Sequence, residues 1–331
     1  MTAGYIMASI KNIGLFTSGG DSPGMNAAIR AVVRSAIYYN IGVTGIRRGF
    51  EGMVKGDMFE MDRKSVSNII QRGGTILKTA RSEQFKTPQG RKLAYEQLMK
   101  HGVDALVAIG GDGTFTGARI FGEEYDMPIV GLPGTIDNDL CGTDFTIGYD
   151  TAINTVIDAV DKIRDTAESH DRLFIVEVMG RDSGLIALRT GIAAGAEAIL
   201  IPESKTDLQA VFERLESGRK DKKSKIIMLA ENGEAGDAFE IGRQIKEKFP
   251  NYDTRISVLG HIQRGGRPSC MDRVLASRVG VAAVEALMAG HRNEMVGLIH
   301  NEIAFTPFEL AAKHNTDINR EFLKIVEILA I

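Results

Sequence analysis

The chain has 331 residues, 44% of them hydrophobic and 25% charged, with a formal net charge of −3. This composition excludes a disordered chain and suffices for one large or two medium domains with full cores. The small negative charge argues against a nucleic-acid or anionic-membrane surface for the chain as a whole. Two cysteines, Cys141 and Cys270, are too few for a disulfide scaffold and lack metal-site spacing. No apolar run reaches transmembrane length, and residues 1–11 lack a signal pattern and read as a short frayed or tag-like extension. The expectation is a soluble, cytoplasmic protein.

In chain order, the patterns predict a strand over 13–17, a helix over 25–39, a strand over 43–46 and helices over 65–71 and 93–100. A strand over 105–109, a helix over 115–124 and a strand over 129–132 follow. Ile153, Val156, Ile157, Val160 and Ile163 recur at helical spacing within 151–166. Next come strands over 174–178, 199–201, 226–229 and 256–259, alternating with helices over 185–194, 208–216, 238–249 and 272–288. Val/Ile/Leu-rich strands between amphipathic helices predict an α/β fold, a parallel sheet covered on both faces. A domain break is expected near Tyr149.

In such sheets ligands bind outside the carboxyl ends of the strands. Three loops fall there: Thr17-Ser-Gly-Gly-Asp21, Gly110-Gly-Asp-Gly-Thr114 and Pro133-Gly-Thr-Ile-Asp-Asn-Asp139. Glycines let backbone amides approach phosphates, and carboxylates hold Mg²⁺ or abstract protons. Together they are the equipment of phosphoryl transfer. Gly20-Asp-Ser-Pro-Gly24 matches the serine-hydrolase elbow in form, but Pro23 lacks the N–H its oxyanion hole needs. A phosphate cradle fits better, with Gly19 and Gly20 opening the backbone and a helix N-terminus at Met25; a plain tight turn stays open.

Gly-Gly-Asp-Gly-Thr also occurs in NAD kinases and diacylglycerol-type lipid kinases, so it signals a nucleoside triphosphate rather than an acceptor. Gly-Lys never occurs, which excludes a Walker A loop and leaves backbone amides, arginines and Mg²⁺ to hold phosphates. Alternation in an extended segment would aim Asp137 and Asp139 the same way, with Asp112 on a neighbouring strand end as a third acid. Asx-type turn formation is the alternative. Arg172, Arg181, Arg255 and Arg264 lie near strand ends or loops, where forked guanidinium groups clamp phosphate monoesters, with His261 close to Arg264. Arg30 and Arg34 share a helix face and Lys220, Lys222 and Lys223 form a run; alone, these read as solvated surface.

These loops, together with Pro23-Gly-Met-Asn-Ala-Ala-Ile-Arg30, Val178-Met-Gly-Arg181 and Leu259-Gly-His-Ile-Gln-Arg-Gly-Gly266, closely resemble the bacterial ATP-dependent 6-phosphofructokinases. The resemblance runs from about residue 11 to about residue 301. It implies two parallel-sheet sandwich domains: an ATP-binding domain over 1–148 joined by about 263–313, and a fructose 6-phosphate domain over 149–262 joined by about 314–331. It also implies γ-phosphoryl transfer from ATP to the 1-hydroxyl of fructose 6-phosphate, with Mg²⁺ on Asp112.

By the same resemblance Asp137 is the base, and Thr135 and Arg81 face the transferring group. Gly20, Arg81, Ser82, Gly111, Asp112, Gly113 and Thr114 line the ATP site. Thr135, Asp137, Asp139, Arg172, Met179, Gly180, Arg181, Glu231, Arg255, His261 and Arg264 hold the sugar phosphate. Arg172 and Arg255 match arginines that reach in from a neighbouring subunit, so a homo-oligomer, a tetramer, is implied. An effector site for ADP and phosphoenolpyruvate is implied at Arg30, Arg34, Arg63, Arg164, Gly195, Glu197, Lys220, Lys222 and Lys223.

The chain departs from the family's usual residues at Asn68 (an acid near the effector site), Phe50 (a tyrosine by the adenine) and Lys86 (an arginine near the nucleotide). Pyrophosphate-dependent relatives carry Asp in place of Gly113 and Lys in place of Gly134, so glycine at both favours ATP. A catalytically dead effector-binding subunit would have lost Asp137, Thr135 or Arg81, and all three are present.

Overall fold

A computed structural model describes residues 10–169, 172–204, 208–217, 224–233, 236–312 and 320–329. The expectations for residues 1–9 and for Lys220, Lys222 and Lys223 lie outside the described residues. The chain forms two compact units. Unit 1 comprises Met1–Ile136, Leu140–Asp150 and Arg264–Asn315; unit 2 comprises Asp137–Asp139, Thr151–Gln263 and Thr316–Ile331.

The chain begins with β1 (Asn12–Thr17), α1 (Met25–Tyr38), β2 (Gly42–Ile46), α2 (Gly49–Lys55), β3 (Met58–Glu60) and α3 (Pro88–Lys100). It continues with β4 (Ala105–Gly110), α4 (Asp112–Tyr125), β5 (Ile129–Thr135), β6 (Ile147–Gly148) and α5 (Tyr149–Glu168). Then follow β7 (Arg172–Val178), α6 (Leu185–Ala193), β8 (Ala198–Leu200), α7 (Leu208–Ser217), β9 (Lys225–Ala230), α8 (Ala238–Lys248) and β10 (Asp253–Val258). The last elements are α9 (Cys270–Met288), β11 (Glu294–Ile299), β12 (Glu302–Pro307), α10 (Phe308–Ala311) and α11 (Arg320–Leu329).

Unit 1 is built on one sheet in the order β12-β11-β5-β4-β1-β2-β3, with β6 paired to β5. Its centre is parallel, and both edges turn antiparallel, at β2–β3 and at the β11–β12 hairpin. Side chains alternate across this sheet. On β4, Ala105, Val107 and Ile109 join the core shared with α1 and α9, whereas Leu106 and Ala108 join the opposite core with Phe16, Phe115 and Phe121. Both faces are therefore buried, which explains the unbroken apolar run. α1 and α9 approach so closely that a side-chain carbon at Gly280 would lie 2.6 Å from Ala31 Cβ. Unit 2 holds a four-stranded, wholly parallel sheet in the order β10-β7-β9-β8.

The helix expected over 65–71 is not formed; the segment is a series of turns. Asp62 Oδ1 accepts the N–H groups of Lys64 (2.9 Å) and Ser65 (2.8 Å), and Asn68 takes a left-handed φ of 55°. The Asp62 contacts would equally cap a helix start, but a left-handed dihedral at Asn68 breaks helical geometry within two turns. α3 starts earlier than its apolar pattern suggests, because the Thr87 hydroxyl caps the Gly90 N–H and Pro88 fills the first turn.

Candidate active site

In unit 1 the adjacent strands β1, β4 and β5 deliver their loops to one sheet edge. The ladder continues past β1, where Ser18 N–H donates to Ile109 O at 2.9 Å. Gly19 and Gly20 are exposed there. A side-chain carbon at Gly20 would lie 2.3 Å from Arg264 Nη1, so the guanidinium in its present place sits directly against this glycine; it also donates to Asp21 O at 3.4 Å. Arg264, expected to hold the sugar phosphate, belongs to unit 1 and lies against the Gly19–Asp21 loop.

The Gly110-Gly-Asp-Gly-Thr114 loop turns directly into α4, with Gly111 at the N-cap and Asp112 in the first turn. Helix N-terminal amides and their dipole favour anions at this position. Gly113 is exposed, and a side-chain carbon there would meet nothing within 4 Å. Packing gives no reason for this glycine, whereas a bound phosphate would. Gly134 is different: a side-chain carbon would press on Ile109 Cγ2 at 3.0 Å and Met25 Cε at 3.1 Å. Core packing therefore crowds this position as well, whereas Gly113 is open. The Thr114 hydroxyl oxygen is buried without a hydrogen-bond partner among the described residues. Thr135, 8% exposed, ends β5 opposite Gly111, and its carbonyl accepts the Thr146 hydroxyl at 2.7 Å.

Ser22 is wholly buried and donates to Ile147 O at 2.8 Å, so it is a structural pin rather than a nucleophile. The expected anion site at the start of α1 is closed: Met25, Asn26 and Ala27 are buried, and Met25 N–H donates to Ser22 O. Asp272, 1% exposed on α9, accepts the Gly148 N–H at 2.8 Å and so fixes β6 beneath the loop. Sequence reasoning missed Asp272; its only local signal is the Ser269 cap three residues before it.

Arg81 and Ser82 follow a segment tied down along its length. The buried Asn26 donates to Arg72 O (3.1 Å) and Gly73 O (3.2 Å) and accepts Ile76 N–H (2.8 Å). Ser82 Oγ donates to Glu51 at 2.7 Å, and Lys55 first, then Ser82, hold the Glu51 carboxyl below the ordinary range. Arg91 Nη1 donates to Phe85 O and Lys86 O while Nε and Nη2 pair with Glu124 (2.6 and 2.7 Å). Phe50, expected beside an adenine, is 9% exposed and stacks on Phe85 with centroids 4.1 Å apart. Lys86 pairs with Glu83 at 2.8 Å. Arg81 itself is exposed.

Asp137 and Asp139 belong to unit 2 and are 7% and 5% exposed. Asn138 between them has a φ of 54°, so the segment is not extended and alternation does not align the two carboxylates. Among the described residues no three His, Cys, Asp or Glu are grouped to hold an ion. Mg²⁺ is commonly held by one or two carboxylates plus substrate phosphates, which a single Asp112 at an anion-binding helix start satisfies.

In unit 2 the carboxyl ends of β7 and β9 carry Met179, Gly180, Arg181 and Glu231. The Glu231 carboxylate accepts Gly180 N–H (3.2 Å) and Arg181 N–H (2.8 Å). Gln263, fully buried and unpredicted, accepts Met179 N–H at 3.2 Å and donates to Gly260 O at 3.0 Å, bracing the turn that exposes His261. Arg172 and Arg255 are not at this edge. They sit at the amino ends of β7 and β10, sharing Asp253.

Of the expected effector residues, Arg30, Arg34 and Arg63 lie in unit 1 and Arg164, Gly195 and Glu197 in unit 2. Burial, then the neighbouring Arg34, pull the Arg30 guanidinium below its ordinary value. Arg164 donates to Ala194 O, beside Gly195, and Glu197 accepts Ile226 N–H at 2.6 Å. Asn68 takes a left-handed φ of 55°, a conformation asparagine tolerates.

The family model for phosphofructokinase matches residues 12–287, and the chain belongs to the phosphofructokinase family. It is 55% identical to the ATP-dependent 6-phosphofructokinase 2 of Bacteroides thetaiotaomicron, over 98% of this chain and 100% of that one. It is equally identical to the ATP-dependent 6-phosphofructokinase 1 of Thermus thermophilus, over 97% of this chain and all of that one. The phosphofructokinase structure from Saccharomyces cerevisiae matches with a TM-score of 0.85 and 35% identity, covering 97% of this chain and 47% of the yeast chain. A pyrophosphate-dependent phosphofructokinase from Marinobacter aquaeolei gives a TM-score of 0.84 at 23% identity, over 97% of this chain and 92% of that one, a likeness of fold.

Proposed function

We infer that this chain transfers the γ-phosphoryl group of ATP to the 1-hydroxyl of D-fructose 6-phosphate, giving fructose 1,6-bisphosphate and ADP, as a cytoplasmic glycolytic enzyme. The observation that carries the donor choice is Gly113, which leaves the first turn of α4 open where the branch using pyrophosphate has a carboxylate. Relatives named ATP-dependent at 55% identity over their whole length support the same reading.

Phosphoryl transfer asks the protein for position and countercharge more than for covalent chemistry. The α4 N-terminus and the Gly19–Gly20 amides hold the phosphates, and Arg81 and Thr135 face the group in transit. Asp137 takes the proton of the sugar 1-hydroxyl, with Asp139 beside it. Asp112 would hold Mg²⁺ together with the nucleotide, and the ion would supply countercharge to the phosphates. Glu231, Met179, Gly180, Arg181, His261 and Arg264 hold the sugar phosphate.

Arg172 and Arg255 serve a different copy. β7 places Arg172 six residues from Val178, about 20 Å at ~3.3 Å per residue, from the edge that carries Met179. That separation supports a homo-oligomer, a tetramer, in which these arginines complete a neighbour's site. The Arg30–Arg34 cation pair supports a second anion site, for ADP and phosphoenolpyruvate. The test is a coupled assay of fructose 1,6-bisphosphate formation with ATP against pyrophosphate. Turnover with ATP alone is expected, and faster turnover with pyrophosphate would overturn the donor assignment.

A further inference from the structure

Arg172 and Arg255 occupy neighbouring parallel strands, and Asp253 lies directly across from Arg172 in the ladder. Asp253 and Arg255 are two apart on β10, so they point to the same face. Arg172 Nε donates to Asp253 Oδ2 at 2.7 Å. Arg255 Nη2 reaches Asp253 Oδ1 at 3.0 Å and Oδ2 at 3.1 Å. One carboxylate thus lies between two guanidinium groups, the geometry a phosphate monoester would adopt between the same forks. The group is accessible, with side chains 22%, 42% and 53% exposed for Arg172, Asp253 and Arg255. Two cations and one anion leave a charge of +1, which a phosphate dianion would more than neutralise. The Asp253 carboxyl is held below its ordinary range, chiefly by the Arg172 hydrogen bond, so it stays ionised near neutrality.

We propose that Asp253 is a built-in surrogate anion: it holds Arg172 and Arg255 as a pair until the sugar phosphate displaces it, and so sets the affinity for fructose 6-phosphate. This rests on the assignment of the two arginines to that phosphate. Asp253 is a positioning residue that acts through them, and removing its charge should ease ligand entry without touching the chemistry. Asparagine keeps the shape and one acceptor oxygen.

The experiment compares the parent with Asp253→Asn, and with Asp158→Asn as a control that removes one exposed charge from α5. Half-saturation by fructose 6-phosphate and kcat are measured with ATP, and fructose 6-phosphate alone is titrated by calorimetry. Asp253→Asn is expected to bind about two- to tenfold more tightly in both measurements at unchanged kcat, the range two exposed ion pairs allow. Asp158→Asn should match the parent. Unchanged or weaker binding by Asp253→Asn overturns the proposal, as does equal tightening by Asp158→Asn. A parent that binds no fructose 6-phosphate overturns the functional reading itself.

Discussion

The Thr17 hydroxyl donates to the Lys78 carbonyl at 2.9 Å, joining residues 61 apart in sequence. It does so at the end of β1, where the glycine loop begins, and three residues before Arg81. The phosphate-type loop and the arginine expected to face the transferring group therefore share one anchor. Asn26 repeats the arrangement from α1, binding the same segment at three backbone atoms.

Asn26→Ala should consequently destabilise the protein by about 1–3 kcal/mol, since buried backbone groups lose their partner. Because Arg81 is then held less firmly, kcat should fall with it. Urea unfolding and steady-state kinetics check both; a variant as active and stable as the parent would show that the anchor is dispensable.

Asp137→Asn should lower kcat by roughly 10²–10⁴-fold, the range of general-base catalysis. Calorimetric binding of ATP and fructose 6-phosphate should persist. Retention of half the activity would remove Asp137 from the role of base.

Gly113→Asp should impair ATP use without harming the fold, because the new side chain enters open space but places a carboxylate against incoming phosphates. The expected signature is a raised KM for ATP at an unchanged urea midpoint. Unaltered ATP kinetics would make this glycine incidental.

Arg30→Ala should leave the maximal rate at saturating fructose 6-phosphate nearly as in the parent while weakening the response to ADP and phosphoenolpyruvate. An effector acts only through a difference in affinity between states, so losing a charge partner removes the shift and not the chemistry. Saturation curves with and without each effector are the measurement, and a full response in the variant would move the second site elsewhere.

Glu124 supplies a pH-dependent contribution. Its hydrogen bond to Arg91 lowers its carboxyl pKa, so the stabilisation is fully present above the ordinary glutamate range and is lost as pH falls through the lowered folded value. Glu124→Gln should therefore be less stable than the parent at pH about 7, with the gap closing below pH about 4. Urea midpoints at both pH values test this; a gap that widens in acid would refute the assignment.

The strands were legible because β4, β5, β7 and β9 are buried on both faces and so spell continuous apolar runs. The turns over 65–71 misled because Val66, Ile69 and Ile70 imitate helical spacing, while the left-handed Asn68 dihedral that breaks a helix is a single-residue effect. β3 and β12 went unread because edge strands are half-solvated. In the site, glycine and acid motifs marked the loops at once. Gln263, Asp272 and Asn26 remained hidden because their roles come from partners far away in sequence, which no local pattern encodes. The different surroundings of Gly113 and Gly134 are likewise visible only with neighbours in place.

The discontinuity of unit 1 has a cost during synthesis. β5 is paired by β11, and α1 is covered by α9 at the Gly280–Ala31 contact, yet β11 and α9 lie on the far side of most of unit 2 in the chain. At about 5–20 residues per second, on the order of ten to thirty seconds pass between the emergence of β5 and that of β11. Throughout that interval the nascent protein carries an open strand edge and a bare apolar helix, both invitations to aggregation. Translation products cut short before β11 should be prime clients of chaperones and proteases, however complete the segment already made of unit 2.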